Sequence, residues 1–164
     1  MLTKRLKLIP IDIKMIDSLL ESDNAFKRDY GLFNDAGEYL NPHPKYLHDI
    51  KERLIACPEE YPVAVDYLII IRETSTVIGT IYYKSLPENG VSEIGYGMNP
   101  KYEGHGYMSE ALECMLTFGR KHKIYIVKAD TNKDNIKSQN VLLRNGFSLD
   151  YEEGDNLWFI KENR

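Results

Sequence analysis

Hydrophobic residues follow their clearest pattern between residues 92 and 122. From Tyr107 onward they recur every three or four positions, which is the spacing of one buried helix face. The members of this face are Met108, Ala111, Leu112, Met115, Leu116 and Gly119. The extended run Ile94 to Met98 precedes it and ends at Asn99-Pro100, because proline has a fixed φ and no N–H for a sheet. The pattern predicts a strand, a turn and a helix.

The chain before this unit shows shorter patterns. Charged and apolar residues alternate in the first predicted strand, and Asp12 stands where it can cap the helix that follows. Two later strands are rich in Val, Ile and Tyr and form a hairpin across Glu73-Thr74-Ser75. The predicted elements are a strand at 4–9, helices at 12–21 and from Pro44 to about Cys57, and strands at 63–71, 76–84 and 92–98.

The chain after the central helix predicts one more strand, a short helix and a hairpin. The strand at 124–130 lies parallel to the strand before the helix if the connection is the usual crossover. Asn135 and Ser138 open the short helix, which ends at Asn145-Gly146, and residues 147–151 and 157–161 form the closing hairpin. The fold class is therefore α/β, with a mixed, mostly antiparallel sheet and a central β-α-β crossover. A ligand is expected beyond the carboxyl ends of the crossover strands.

Residues 22–44 mix turn residues with aromatic side chains and show no sustained period. We expect a short helix followed by a loop. Such a segment suits the wall of a substrate pocket, and a surface loop pinned by its aromatic residues is an equal alternative. Asp29, Asp35 and Glu38 in this segment would suit a cationic substrate.

Composition narrows the class of protein. The 164 residues are enough for one domain with its own core, so we expect a single domain over 1–164. No apolar run approaches a membrane span and residues 1–12 lack the core of a secretory signal, so a cytoplasmic protein is expected. The net charge of −4 disfavours nucleic acid as a partner. Cys57 and Cys114 lack metal-ligand spacing, so neither a zinc site nor a disulfide framework is expected.

Gly104-His105-Gly106 lie where the central helix is predicted to begin. Glycine has no Cβ, so the backbone can bend sharply and direct several N–H groups to one point. The helix adds its unpaired N–H groups and the positive end of its dipole, which suits a phosphate or pyrophosphate. A tight turn without a ligand explains these residues equally well. A dinucleotide-binding oxidoreductase is disfavoured, because Ser109 replaces the third glycine of that motif.

Two motifs on either side of the strand 124–130 resemble the GNAT acetyltransferases, and within them the RimJ/RimL-like branch. The first is EIGYGMNPKYEGHGYMSEAL, residues 93–112, and the second is NIKSQNVLLRNGF, residues 135–147. The opening TKRLKLIPI is similar to the first strand of that branch. The resemblance covers essentially the whole chain. It implies a GNAT-like twisted sheet whose crossover binds acetyl-CoA, without a metal, where strands 92–98 and 124–130 splay apart.

The resemblance also implies which residues bind the cofactor. The glycine loop would hold the pyrophosphate through its amides, and the strand would pair with the pantetheine arm. Asn135 would hydrogen-bond the cofactor from the opposite side. The loop residues are Glu103, Gly104, His105, Gly106, Tyr107 and Met108, and the strand residues are Tyr96, Gly97 and Met98.

Three positions depart from the family pattern. Glu103 stands where Gln or Arg is usual, Met108 where a small residue is usual, and Leu142 where many members have a tyrosine near the leaving thiolate. A carboxylate repels a pyrophosphate unless it faces solvent, so Glu103 puts the cofactor affinity in doubt.

Acetyl transfer to an amine needs a proton acceptor, a polarised carbonyl and a way to protonate or stabilise the departing thiolate. Glu93 is the candidate base, directly or through a water, with a solvated strand carboxylate as the alternative. Ser138 is the motif-matched hydroxyl for the thiolate, with a residue that only bonds the helix start as the alternative. The hydroxyls of Tyr96, Tyr102 and Tyr107 are alternatives for protonating the thiolate. The sequence does not distinguish among these three.

The predicted function is therefore an N-acetyltransferase that moves the acetyl group of acetyl-CoA to a primary amine by direct attack in a ternary complex. The acceptor is either a protein N-terminal α-amino group or a small-molecule amine, with no nucleic acid or membrane partner. A catalytically degenerate module that senses acetyl-CoA is the alternative, motivated by the three departures. Monomer and homodimer both remain open.

Overall fold

The computed structural model describes residues 1–40 and 44–164. Residues 41–43, in the middle of the irregular segment 22–44, lie outside the described part of the chain. The strands are β1 Leu6–Pro10, β2 Phe33–Asn34, β3 Tyr67–Ile71, β4 Thr76–Tyr83, β5 Val91–Met98, β6 Ile126–Asn132, β7 Ser148–Glu153 and β8 Asn156–Glu162. The helices are α1 Ile13–Glu21, α2 Asp23–Tyr30, α3 Pro44–Ala56, α4 Tyr107–Lys121 and α5 Ile136–Arg144.

The strands form one eight-stranded sheet in the order β1-β3-β4-β5-β6-β8-β7, with β2 paired to β4. The neighbours along this order are antiparallel except β5 and β6, and the short β2 also runs parallel to β4. The mixed, mostly antiparallel sheet and its single β-α-β crossover through α4 confirm the fold class expected from the sequence. The antiparallel neighbours also exclude the all-parallel sheet of a dinucleotide-binding oxidoreductase.

The pairing of β5 and β6 is short. Only three residue pairs join them, from Val91 opposite Ile126 to Glu93 opposite Lys128. Beyond these pairs the two strands separate, although each continues in register with its other neighbour, β4 or β8. The sheet therefore opens in its middle while both halves stay bonded.

Helix α4 covers one face of the sheet beside this opening. Its six residues with helical apolar spacing are all buried, as predicted. The hydroxyl of Tyr83 on β4 donates a hydrogen bond to the Met115 carbonyl at 3.0 Å, and a methyl group at Gly119 would lie 2.3 Å from that hydroxyl oxygen. Glycine at 119 thus lets the helix approach the sheet closely.

The predicted cap at Asp12 is present, and Asn135, predicted to open α5 and to bind the cofactor, also caps that helix. The Asp12 side chain accepts from the Met15 N–H at 2.8 Å, and the Asn135 side chain accepts from the Ser138 N–H at 3.1 Å. Each cap satisfies a first-turn donor that has no partner within the helix. Gly146, with φ 78°, follows the end of α5 as predicted.

Several predicted strand boundaries are wrong by two residues or more, among them the start of β1 and the end of β7. For two further strands the hydrogen bonds give the reason. The strand expected at 63–71 begins only at Tyr67, because the N–H groups of Val63 and Ala64 both bond to the Glu60 carbonyl and turn the chain. The strand expected at 124–130 occupies Ile126–Asn132 instead, since the Ile124 N–H bonds to the Gly119 carbonyl and completes the end of α4.

The segment 22–44 is more structured than expected. It contains α2, the two-residue β2 and a 3-10 turn at Gly37–Tyr39. Within the described residues, no helix has both the length and the apolar character needed to cross a membrane.

Candidate active site

A cleft with a cavity of about 330 Å³ lies between the end of β5 that has separated from β6 and helix α5. This volume is within the range of small-molecule sites. Its walls come from β5, the loop before α4, the first turn of α4, and one face of α5. The lining residues are Tyr39, Tyr96, Gly97, Met98, Glu103, Gly104, Gly106, Tyr107, Met108, Ser109, Asn135, Lys137, Ser138, Asn140, Val141 and Arg144.

The loop before α4 has the geometry of an anion cradle. Gly104 and Gly106 both have positive φ, 77° and 76°, which side-chain-bearing residues rarely adopt. Gly106 is also the N-cap of α4 and supplies no side chain to bond the first-turn N–H groups. These donors and the positive end of the helix dipole therefore lie beside the cleft without a side-chain cap, an arrangement that fits a pyrophosphate.

Nine of the ten residues expected to bind the cofactor line the cleft, and His105 does not. His105 Nδ1 lies 2.8 Å from the Glu103 carbonyl oxygen, and its ring stacks on Tyr107 at 5.8 Å between centroids. The side chain of His105 thus folds back on its own loop, so only its backbone is available for an anion.

Glu103 is paired across the cleft. Its carboxylate accepts a hydrogen bond from the Lys137 ammonium in the first turn of α5, and both residues line the cavity. The sequence gives no sign of this pairing, because the two residues are 34 positions apart. Lys137 offsets the negative charge that Glu103 places beside the anion cradle.

Two hydroxyl groups meet inside the cleft. Tyr96 on β5 and Ser138 on α5 are joined by a hydrogen bond of 2.9 Å between Oη and Oγ. Burial raises the pKa of Tyr96 to about 12, although the bond with Ser138 opposes this shift. The tyrosine is therefore protonated at neutral pH and has a proton to donate.

The geometry distinguishes Tyr96 from the other tyrosines. The Tyr102 hydroxyl donates to Asp35 at 2.5 Å, outside the cleft, and the Tyr107 ring lies beneath the Arg5 guanidinium. Leu142, where many relatives have a tyrosine, is fully buried in the core. Of the hydroxyls considered, Tyr96 and Ser138 are the pair that reaches the cleft together.

Glu93 lies on the opposite face of β5 from Tyr96, because side chains alternate along a strand. It does not line the cavity. Its carboxylate accepts from the Lys84 ammonium, which also lies 3.2 Å from Asp130 on β6, just beyond the last β5–β6 pair. Two carboxylates and one ammonium therefore meet where the strands part.

The pKa of Glu93 is raised. Burial is the largest cause and the neighbouring Asp130 adds to it, while the Lys84 ammonium opposes both. The pKa of Asp130 is lowered, because hydrogen bonds from Glu93 and Lys84 outweigh its burial. The opposite directions make Glu93 the more basic carboxylate of this coupled pair.

Two tyrosine rings cover the same face of β5 as Glu93. A methyl group at Gly97 would lie 2.0 Å from Tyr39 Cδ1, and one at Gly95 would lie 2.7 Å from Tyr82 Cζ. The rings thus lie directly on the strand backbone. Tyr39 belongs to segment 22–44, for which a pocket wall was one of the two expectations, and it lines the cleft. Sequence reasoning missed Tyr82 and the contact of both rings with β5, and the signal was two glycines inside a predicted strand, which often marks a close approach to the backbone.

Two of the three acidic residues expected to suit a cationic substrate, Asp29 and Asp35, are engaged elsewhere, and the contacts do not test Glu38. Asp35 accepts from Lys101 at 2.7 Å and from Tyr102, and Asp29 binds Arg28 and the Ser18 hydroxyl. Both carboxylates tie this segment to its surroundings. The expectation that Asp29 and Asp35 await a cationic substrate is therefore not supported by their contacts.

Residues 5–148 match the Acetyltransferase (GNAT) domain family model. The chain belongs to the GNAT acetyltransferases. It is 27% identical over 157 residues to the "Uncharacterized N-acetyltransferase YjdG" of Bacillus subtilis, covering 93% of this chain and 92% of that protein. An acetyltransferase is thus the class of enzyme to which this cleft belongs.

Solved structures of RimL/RimJ-like GNAT enzymes share the fold. The ribosomal-protein-S5-alanine acetyltransferase from Vibrio fischeri has a TM-score of 0.74 and 18% identity, covering 99% of this chain and 96% of that one. RimL, a ribosomal L7/L12 α-N-protein acetyltransferase solved with coenzyme A, has a TM-score of 0.70 and 20% identity, covering 98% and 95%. At these identities the likeness concerns the fold.

The described residues contain no group of three or more His, Cys, Asp or Glu side chains arranged to hold a metal ion. The two cysteines are free thiols.

The Glu103–Lys137 pair predicts opposite effects of two substitutions on acetyl-CoA affinity. Lys137→Met leaves the Glu103 charge beside the anion cradle, so we expect the Kd to rise about fivefold, the effect of about 1 kcal/mol of repulsion. Glu103→Gln is expected to lower the Kd, because it leaves the Lys137 ammonium unopposed, and the double variant, which removes both charges, to lie close to the wild type. Calorimetric titration at fixed salt measures all three.

Lys133→Met is the matched control, because Lys133 pairs with Glu152 at 2.8 Å and does not line the cleft. Tighter binding by Lys137→Met would contradict this interpretation and identify the pair as a barrier across the cleft.

Proposed function

We propose that the protein transfers the acetyl group of acetyl-CoA to a primary amine by direct attack in a ternary complex. One observation carries this proposal: the cleft between β5 and α5 joins an uncapped helix N-terminus, suited to pyrophosphate, with a proton-donating pair of hydroxyls. The acetyltransferase domain is proposed to comprise residues 1–164 and to act in the cytoplasm.

The residues of the cleft divide the binding of acetyl-CoA among them. The backbone N–H groups from Gly104 to Met108 would hold the pyrophosphate, and the unpaired edge of β5 at Tyr96–Met98 would bond the pantetheine amides. Asn135 would contribute from α5. Acetyl-CoA, when bound, supplies an activated thioester, and a β5 N–H near Met98 would polarise its carbonyl.

The acceptor amine is proposed to approach from the face of β5 that bears Glu93. It must be neutral to attack, and the free-energy cost of deprotonation depends on its pKa. An α-amino group near pKa 7.7 to 8.0 costs about 1 kcal/mol at neutral pH, whereas a lysine-type amine near 10.4 costs about 4. Glu93, directly or through a water, accepts the proton that the amine loses.

A protein N-terminal α-amino group and a small-molecule amine both fit this requirement. RimL, whose fold this chain shares, is named for acetylating the α-amino group of a ribosomal protein. The tyrosine rings over Gly95 and Gly97 give the acceptor face an apolar surface beside the carboxylates of Glu93 and Asp130, which suits an amine with a hydrophobic neighbour.

The Tyr96–Ser138 pair is proposed to protonate the departing sulfur. Both hydroxyls lie in the cleft, and Ser138 belongs to the second motif. The tyrosinate left when Tyr96 gives up its proton would be stabilised by the 2.9 Å hydrogen bond from the Ser138 hydroxyl, and it would regain a proton from solvent. The pair would thus supply the role that a tyrosine at position 142 has in many relatives.

We expect calorimetric titration to show micromolar binding of acetyl-CoA and none of NADH. A pool of amines should then give amine-dependent thiol release, and Glu93→Gln should keep the acetyl-CoA affinity while kcat falls by about 100-fold or more, the usual effect of losing a general base. Binding without thiol release from any amine would contradict the transferase and favour the cofactor-sensing alternative.

The raised pKa of Glu93 predicts the pH dependence of kcat at saturating substrates, which reports ionisations in the ternary complex. The base must be ionised, so kcat should fall as the pH is lowered. The midpoint of this fall should lie at a pKa above the ordinary glutamate value of about 4.3. Lys84→Met removes a contribution that lowers this pKa, so the fall should move to higher pH. Asp130→Asn removes a contribution that raises the pKa of Glu93, so the fall in kcat should move to lower pH. An unchanged profile in both variants would exclude Glu93 as the titrating group.

Removing the Tyr96 hydroxyl should slow the reaction without weakening acetyl-CoA binding. Tyr96→Phe keeps the strand backbone but removes the proton donor, so we expect kcat to fall by about 100-fold with the KM for acetyl-CoA within twofold, as for loss of a general acid. Ser138→Ala should lower kcat less. Tyr102→Phe is the matched control, because its hydroxyl bonds Asp35 outside the cleft. Equal kcat values for Tyr96→Phe and Tyr102→Phe would refute the assignment.

A further inference from the structure

A single arginine next to β1 contacts the loop and the helix that form the anion cradle. Arg5 Nε donates to the Glu110 carboxylate at 2.7 Å, and its Nη1 donates to the His105 carbonyl oxygen at 2.8 Å. Its guanidinium carbon also lies 4.6 Å above the centre of the Tyr107 ring. The planar Arg5 guanidinium therefore contacts three residues where the loop meets α4, namely His105, Tyr107 and Glu110.

Glu110 secures the other side of this contact. Its carboxylate accepts from the Thr3 hydroxyl at 2.5 Å, from the Arg5 N–H at 2.8 Å and from Arg5 Nε. Burial tends to raise the pKa of Glu110, but the hydrogen bonds from Thr3 and Arg5 outweigh it, so the pKa is lowered and the group is ionised at neutral pH. The Arg5 side chain is thereby fixed relative to the first turn of α4.

The hydrogen bond to the His105 carbonyl also fixes the direction of the next N–H group, that of Gly106, on the opposite side of the loop. A trans peptide is planar, so the C=O of His105 and the N–H of Gly106 point in opposite directions. Arg5 binds that C=O from outside the cleft, since Arg5 is not among the lining residues while Gly106 is. The Gly106 N–H is consequently directed into the cleft.

We propose that Arg5 is a positioning residue for cofactor recognition, which orients the His105–Gly106 peptide so that its N–H meets the pyrophosphate. The proposal rests on the proposed use of acetyl-CoA. Glycines on both sides of His105 give this peptide wide conformational freedom, so an external contact is needed to select one orientation. Arg5 acts through the loop and does not touch the cofactor.

The competing explanation is that Arg5 only anchors the N-terminal segment. Arg72 provides the control for it. Its Nη1 donates to the carbonyl oxygens of Thr3 at 2.9 Å and Lys4 at 3.3 Å, so it holds the same segment from β3 without contacting the loop in any described interaction. If Arg5 only anchored this segment, substitution of Arg5 and substitution of Arg72 would have the same effect on the kinetics.

The test compares two acetyl donors, acetyl-CoA and acetyl-pantetheine, which has the same thioester but no pyrophosphate or nucleotide. For Arg5→Lys, which keeps the charge but loses the planar fork, kcat/KM for acetyl-CoA should fall about tenfold or more, as for loss of a charged hydrogen bond. The value for acetyl-pantetheine should stay within twofold of the wild type. Arg72→Lys should change neither, and thermal denaturation checks that all variants are folded.

Equal losses on both donors, or the same pattern in Arg72→Lys, would show a structural role and overturn the proposal. Unchanged kinetics in Arg5→Lys would also overturn it. A wild-type protein that releases thiol from neither donor would instead contradict acetyl transfer itself. Calorimetric titration of wild type and Arg5→Lys with coenzyme A then decides the role of Arg5 alone, because weaker binding by the variant supports it and equal binding refutes it.

Discussion

The separation of β5 from β6 is the constraint on which the rest of the structure depends. A parallel pair would ordinarily remain bonded along its length, and here the bonding stops after three residue pairs. Beyond that point the backbone groups of β5 and β6 that face the opening have no strand partner, so they are available to a ligand, and unpaired buried backbone groups are costly without one. The sheet tolerates the opening because β5 remains paired with β4, β6 remains paired with β8, and α4 connects β5 to β6 along the chain.

The charged groups around the opening divide into two sets on the two faces of β5. The face toward α5 has neutral hydroxyls and backbone donors, with Glu103 balanced by Lys137. The opposite face has Glu93 and Asp130 around a single ammonium, a net negative charge. The proposed polyanionic cofactor and the proposed amine substrate would thus be attracted to different sides of the same strand, which would disfavour binding of either ligand on the wrong side.

Much of this architecture could be predicted from the sequence, because it depends on contacts between near neighbours. The buried face of α4 follows one period over thirteen residues, and the glycines at its start precede it directly. The strand boundaries near 63 and 124 were wrong because each depends on a single turn hydrogen bond, which leaves no periodic trace. Arg5 with Glu110 and Tyr39 with Gly97 escaped prediction because each pair is more than fifty residues apart in the chain.

The glycines of β5 have a consequence for the history of such enzymes. Because Gly95 and Gly97 bear no side chains, the surface above them is made by Tyr39 and Tyr82, which come from a 3-10 turn and from the neighbouring strand β4. Replacing Tyr82, which does not line the proposed cofactor cleft, would reshape the proposed acceptor surface and leave the backbone of β5 unchanged, whereas Tyr39 lines that cleft as well. Changes at Tyr82 would therefore alter the proposed acceptor preference separately from acetyl-CoA recognition, so descendants of one ancestral enzyme would acquire new amines without first losing their acetyl donor.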